Sequence, residues 1–200
     1  MSAKIVNLLL ASKSTARRQM LEGAAVPFRV VEAELDEDRA KASLQGLGGA
    51  DLAMALATVK ALGVTAGEED LVLGSDQTLE LDAGILLDKP KSREEAFSQL
   101  KRLSGRSHKL HSAAVVAGRG EPVWSGLETV ELSVRPLSDE FLSRYLDEEY
   151  EAIRWSVGGY RIEGPGVQLF DRIDGSHFAI LGLPLLPLLS YLRERGVIPG

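Results

Sequence analysis

The chain has 200 residues, 44% of them apolar, no cysteine, and 29 acidic against 23 basic side chains, for a net charge of −6. That length and apolar content suffice for one sizeable core, so a single domain over 1–200 is expected. The missing cysteines exclude zinc–thiolate sites, disulfide scaffolds and thiol nucleophiles and fit a reducing compartment, while a negative chain is a poor broad surface for nucleic acid.

Met1-Ser2-Ala3-Lys4 leads into a short apolar run, Leu8-Leu9-Leu10-Ala11, ahead of Arg17-Arg18. This is neither a signal peptide nor a membrane span, and a cytoplasmic location is expected. A buried strand is predicted over 5–11, and the segment 12–21 then carries Ser14 as the N-cap of a helix ending near Gly23. Backbone N–H groups at that helix start, with Ser12, Ser14 and Arg17, form either a phosphate cradle or an ordinary capped helix. A second strand over 28–31 precedes the acids Glu32, Glu34, Asp36, Glu37 and Asp38, a run read as a solvated loop. Leu52, Ala55, Leu56 and Val59 make the apolar stripe of a helix over 51–64, with Lys60 beside it. Gly46-Leu47-Gly48-Gly49 lacks both G-x-G-x-x-G spacing and a preceding strand, so a dinucleotide loop is disfavoured.

Strands over 71–81 and 85–87 pair as a hairpin across Asp82-Ala83-Gly84. The first contains the most informative segment, Gly74-Ser75-Asp76-Gln77-Thr78, where a carboxylate follows the apolar Leu71-Val72-Leu73. Held rigidly beside a cleft, Asp76 suits a general base or a metal ligand; the alternative is a turn-forming aspartate. Lys89-Pro90 leaves the hairpin, and Ser92-Arg93-Glu94-Glu95 is a capping box opening a helix that ends near Ser104-Gly105. Strands over 109–117 and 122–135 flank a Gly-Arg-Gly turn, and Ser138 caps a short helix to Leu146. The glycine-rich 155–166 segment reads as an ordered functional loop or a connector, followed by a strand over 167–173. The apolar 180–189 stretch is too short and too interrupted by Gly182, Pro184 and Pro187 for a bilayer. Pro184 instead opens a last helix to about Arg195. His108, His111 and His177 lack catalytic partners at telling spacing and are read as structural.

Four blocks carry a family resemblance in order: 10–18 (Leu-Ala-Ser-Lys-Ser-Thr-Ala-Arg-Arg), Gly74-Ser75-Asp76-Gln77, Lys89-Pro90 through His108, and Gly158-Gly159-Tyr160 through Gly182-Leu183-Pro184. Over nearly its whole length the chain resembles the Maf family of nucleoside triphosphate pyrophosphatases. The resemblance implies an α/β fold of the Maf/ITPase kind, a long twisted mixed sheet flanked by helices, with two lobes around a central cleft. It implies hydrolysis of a nucleoside triphosphate to the monophosphate and pyrophosphate with a divalent cation, Mg2+ or Mn2+, and it suggests a homodimer. Asp76 matches the catalytic proton acceptor, Glu34 an acidic position that can hold the metal, and Lys60 and Lys89 basic catalytic positions. Ser12 and Arg17 match phosphate-binding positions.

Gln77 and Glu163 resemble the branch that prefers 7-methyl-GTP, whereas the dTTP/UTP branch typically has Thr and Gln there. A carboxylate at 163 can accept from guanine N1–H and N2–H2. Ala16 departs from both branches, which have Trp or Arg, so an aromatic stacking partner is missing unless Trp155 substitutes. Ser156-Val157-Gly158 replaces the usual Lys-Ala-Gly. The alternatives are the same chemistry on dTTP and UTP, or a nucleotide-binding regulator of cell division without turnover.

Overall fold

A computed structural model describes residues 7–200. Its elements in chain order are β1 (Asn7–Ala11), α1 (Thr15–Gly23), β2 (Arg29–Val30), α2 (Glu37–Ser43), α3 (Gly49–Leu62), β3 (Asp70–Leu81) and β4 (Ile85–Leu87). There follow α4 (Arg93–Leu103), β5 (Ser107–Gly118), β6 (Glu121–Val134), α5 (Asp139–Ile153), β7 (Phe170–Asp174), α6 (His177–Ile180) and α7 (Leu185–Glu194). One seven-stranded mixed sheet runs β2-β1-β3-β5-β6-β7, with β4 also paired to β3. β1 is parallel to β2 and β3, and the remaining pairs are antiparallel. This is the expected α/β architecture.

Period-two alternation explains how β3 organises the molecule. Val72 joins the alanines of α3, Ala53, Ala57 and Ala61, in one apolar layer with Leu9, Ala113, Val115 and Ala117. Those small side chains let the helix lie so close that a Cβ on Gly74 would collide with the backbone of Ala57 and Ala61. On the opposite face, Leu71 and Leu73 pack with Leu21, Leu188 and Leu192 of α1 and α7. Further along the same face, Leu79 and Leu81 pack with Leu100, Leu103, Leu142 and Leu146 of α4 and α5. The two lobes are thus the two ends of the long strands, each with its own helical cover.

On one edge of β3, β1 pairs only as far as Gly74, and β4 begins its pairing only at Leu79. β5 meanwhile pairs without a break along the other edge, setting Asp76 opposite Ala113 and Gln77 opposite Ser112. Residues 75–78 therefore lie at a gap between two neighbouring strands, and side chains from both faces of β3 can reach solvent there.

Local sequence chemistry accounts for most boundaries. Ser14, Ser92 and Ser138 each accept a backbone N–H from the residue three ahead, at 3.4, 3.2 and 3.1 Å. The capping box is skewed, because the Glu95 carboxylate takes the N–H of Lys91 (2.9 Å). Arg119 and Gly120 both adopt positive φ in the β5–β6 hairpin turn, as a two-residue turn with right-twisting strands demands.

Five expectations need correction. The acidic run is not all loop: Asp36 accepts from Arg39 N (3.0 Å) and starts α2 at Glu37. The helix capped by Ser138 runs beyond Leu146 to Ile153, because Tyr145, Leu146, Glu149 and Ile153 continue its inward stripe. The strand expected from 167 starts at Phe170, since Pro165 opens a 3-10 turn through Leu169. The helix expected over 51–64 starts two residues earlier and ends at Leu62. The short α6 was not anticipated. The first two residues of the strand expected over 5–11 lie outside the described residues.

Candidate active site

The gap in β3 opens into a solvent-open cleft with a cavity volume of about 150 Å3. Its walls include Ser14, Ala16 and Arg17 from the start of α1, Lys60 from α3, Asp76 and Gln77 from β3, and Lys89 after β4. Trp155 through Val157 and Tyr160 through Glu163 close the far side.

At the centre, Lys60 Nζ donates to Asp76 Oδ1 at 2.6 Å and meets Glu37 Oε1 at 3.1 Å. The Lys60 and Asp76 side chains are only 11% and 13% exposed, so their charges are weakly screened. Burial alone would push the Glu37 carboxyl up, but the nearby Lys60, Lys89 and Lys41 ammonium groups hold it below its ordinary value. Lys41 itself pairs with Asp88 at 2.9 Å, and its ammonium also feels Asp76 and Glu37. Three ammonium groups, those of Lys60, Lys89 and Lys41, thus act on the Glu37 carboxylate at one end of the cleft.

Arg17 is buried, and its guanidinium is fixed by Nε donating to Gly182 O (2.8 Å) and Nη1 to Ser12 Oγ (3.3 Å). Burial lowers its pKa while Asp76 and Glu37 oppose that shift, and an arginine stays charged regardless. Ser12 also accepts the N–H of Ser14 (3.2 Å) and is not among the cleft walls, so it orients Arg17 and the helix start. Of the basic residues in the 10–18 block, Arg17 turns in while Lys13 and Arg18 stay exposed.

Gln77 donates its amide to Ser112 Oγ (2.9 Å), Ala179 O (2.9 Å) and Ile180 O (3.0 Å). Two of these are carbonyls, which only accept, so the orientation of the amide is fixed. What Gln77 has left for a ligand is its Oε1 acceptor. Ser75 Oγ ties the same face to Ala113 O (2.7 Å) and Gly182 O (3.1 Å).

Of the residues singled out in the sequence, Arg17, Lys60, Asp76, Gln77, Lys89 and Glu163 come together around the cleft. Glu34 does not. Its side chain is exposed and off the cleft walls, and its backbone N–H is tied to Gly63 O at 2.8 Å. The acid that reaches Lys60 is Glu37, three residues on, which is likewise exposed and off the cleft walls but meets the Lys60 ammonium at 3.1 Å. Arg161 is a charged wall residue that had no sequence signal of its own; it is held by the buried Glu149 through bonds of 2.8 and 3.2 Å. His108 and His111 are buried and bonded to Tyr160 and Thr129, as their structural reading requires.

Asp76 and Glu37 are hard oxygen donors near one point, the donor type a magnesium or manganese ion takes together with phosphate oxygens. Among the described residues no three His, Asp or Glu side chains cluster as a ready-made cation cage. The Lys60 ammonium occupies the point between them, and Glu37, the more exposed of the two, can hold a cation together with phosphate oxygens.

The model of the Maf-like protein family matches residues 7–195. A Caulobacter vibrioides protein described as a nucleoside triphosphate pyrophosphatase is 50% identical over 191 residues, covering 94% of this chain and 96% of the relative. A Sphingopyxis alaskensis protein of the same description is 44% identical over 197 residues, covering 97% and 100%. A Rhizobium meliloti protein described as a 7-methyl-GTP pyrophosphatase is 46% identical over 194 residues, covering 96% and 97%.

Proposed function

The chain belongs to the Maf-like protein family, and from that membership we propose that it hydrolyses a nucleoside triphosphate to the monophosphate and pyrophosphate in the cleft at the β3 gap. The observation that carries this reading is the Lys60 ammonium between the Asp76 and Glu37 carboxylates, in a cleft that also presents Arg17 and Lys89.

A triphosphate brings several negative charges to this end of the cleft. Lys89, Arg17 and Lys60 offset them, and as phosphate oxygens draw Lys60 away, Asp76 becomes free to accept a proton from water. The water oxygen bonds to the α phosphorus, its proton passes to Asp76, and the bond to the β-phosphate oxygen breaks with pyrophosphate leaving. A divalent cation held by Glu37 and phosphate oxygens would supply charge neutralisation, leaving Asp76 as the base. Glu37 takes the place expected for Glu34.

For the base, Gln77 Oε1 and the Glu163 carboxylate are acceptors, and a guanine Watson–Crick edge offers N1–H and N2–H2 donors to match. We therefore favour a guanine-type substrate such as 7-methyl-GTP over dTTP or UTP. A cytoplasmic enzyme acting as a homodimer belongs to the same proposal. No helix among the described residues is long and apolar enough to cross a membrane.

Incubating the protein with a panel of plain and methylated triphosphates tests the reaction. Monophosphate and pyrophosphate are expected as first products, with loss of turnover in EDTA and recovery with magnesium or manganese. Orthophosphate and a diphosphate as first products would sink the proposal, and binding without turnover would favour a regulatory role.

A further inference from the structure

The far wall of the cleft carries an aromatic side chain that the hydrolytic chemistry does not use. Trp155 follows the C-terminus of α5, is 70% exposed, and lines the cleft along with Ala16, Arg17 and Glu163. An indole left largely in water gives up most of the gain that burial would bring it. The other tryptophan, Trp124, is packed in the usual way, stacked on Tyr191 with ring centroids 5.4 Å apart. Tyr160, also in the cleft wall, is 5% exposed, and its hydroxyl is committed to His108 Nε2 at 2.7 Å. Its ring is therefore not available to a ligand, and Trp155 is the flat apolar surface that is.

The surroundings of Trp155 hold it in place. The Arg154 guanidinium lies 4.9 Å from the indole centroid and is itself anchored by Glu151 at 3.1 Å. Arg154 itself is not among the cleft walls, so the cation contacts the ring without lining the cavity. Ala16, on the same cavity, has only a methyl side chain and offers no competing aromatic surface.

We infer that Trp155 is the stacking platform for the nucleobase, a role that rests on the function proposed above. Stacking on an indole is tolerant of base identity, because every base has a π-face. Trp155 then supplies affinity for any nucleobase, while Gln77 and Glu163 supply choice.

Two measurements test this. Trp124→Phe leaves Trp155 as the reporter, and Trp155→Phe leaves Trp124. Titrating each with α,β-methylene-GTP and magnesium, which gives binding without cleavage, is expected to quench emission saturably in Trp124→Phe and leave it unmoved in Trp155→Phe. In steady state, Trp155→Leu is expected to raise KM about tenfold for purine and pyrimidine triphosphates alike with kcat within about threefold, and Trp155→Phe to recover most of the loss. Absent quenching in Trp124→Phe, or a Trp155→Leu KM within twofold of the parent, would overturn the assignment. Quenching without pyrophosphate release from any triphosphate would support Trp155 and count instead against the hydrolytic reading.

Discussion

On the face of β3 turned toward α3, Gly74 lies against helix backbone, Asp76 holds Lys60, Thr78 donates to Gly49 O (2.7 Å) and Glu80 accepts Gly49 N (2.8 Å). On the opposite face Ser75 and Gln77 donate to the carbonyls of Ala113, Gly182, Ala179 and Ile180, and the neighbouring β5 adds Ser112 to Ala179 O (2.6 Å) and His108 to Tyr160. One strand thus keeps charge on its helix-facing side and neutral hydrogen bonds on the other. The α3 face fixes α3, and with it Lys60. The neutral face fixes the segment around α6 and Gly182, and with it Arg17. The cleft forms where both faces become accessible, at the gap between β1 and β4.

The sharpest way to break this division is to add one methyl group to the α3 face. Gly74→Ala places a Cβ 2.9 Å from Ala61 Cα and still closer to Ala57 O and Ala61 N, where helix backbone cannot yield cheaply. A loss of about 3 kcal/mol or failure to fold is expected in urea unfolding, the upper end of overpacking costs. Stability within 1 kcal/mol of the parent would mean that α3 is not packed this tightly.

The neutral face predicts a specific response to acid. Burial pushes the His108 imidazole down to about 4. Its folded pKa is below the unfolded value of 6.5, so the contribution of neutral His108 is complete above pH 6.5 and is lost as pH falls toward 4. At one pKa unit per 1.36 kcal/mol the full effect is about 3 kcal/mol. His108→Gln does not titrate and can still bond Tyr160, so its melting temperature should fall less between pH 6.5 and 4 than the parent's. Parallel curves would assign the acid sensitivity to carboxylates on the charged face.

Glu163→Gln acts beyond both faces, at the base end of the cleft. Exchanging an acceptor for a donor should lower kcat/KM for guanine-type triphosphates about tenfold or more relative to dTTP and UTP, from roughly 1–3 kcal/mol of mismatched hydrogen bonding. A uniform loss on all bases would remove Glu163 from base selection. The smallest effect belongs to Ser75→Ala, the same introduced residue as at Gly74 but on the opposite face. Losing the hydrogen bonds to Ala113 O and Gly182 O should cost about 1 kcal/mol without unfolding.

Much of this was legible in the sequence because strand alternation and capping are local. The apolar Leu71-Val72-Leu73 followed by Gly74-Ser75-Asp76 offered Asp76 to a cleft, whereas the stripe on α3 set Lys60 only beside that stripe, and its pairing with Asp76 rests on how α3 packs on β3. The second acid partner of Lys60 was not legible. Glu32, Glu34, Asp36, Glu37 and Asp38 look alike in a run, and which of them meets Lys60 depends on Asp36 capping α2, whose first residue is Glu37. Arg161 was likewise hidden, since its orientation rests on Glu149, twelve residues earlier on a helix longer than expected. The free atom of Gln77 needed coordinates too, because only the positions of Ala179 O and Ile180 O decide which end of the amide is committed.

The most direct test of the central claim compares the parent with Asp76→Asn, which keeps shape but removes the proton acceptor and the charge facing Lys60. At saturating triphosphate, pyrophosphate release should fall about 10²-fold or more, while folding and affinity for α,β-methylene-GTP are retained. Turnover near the parent rate would show that Asp76 is only a structural residue of β3 and that the base lies elsewhere.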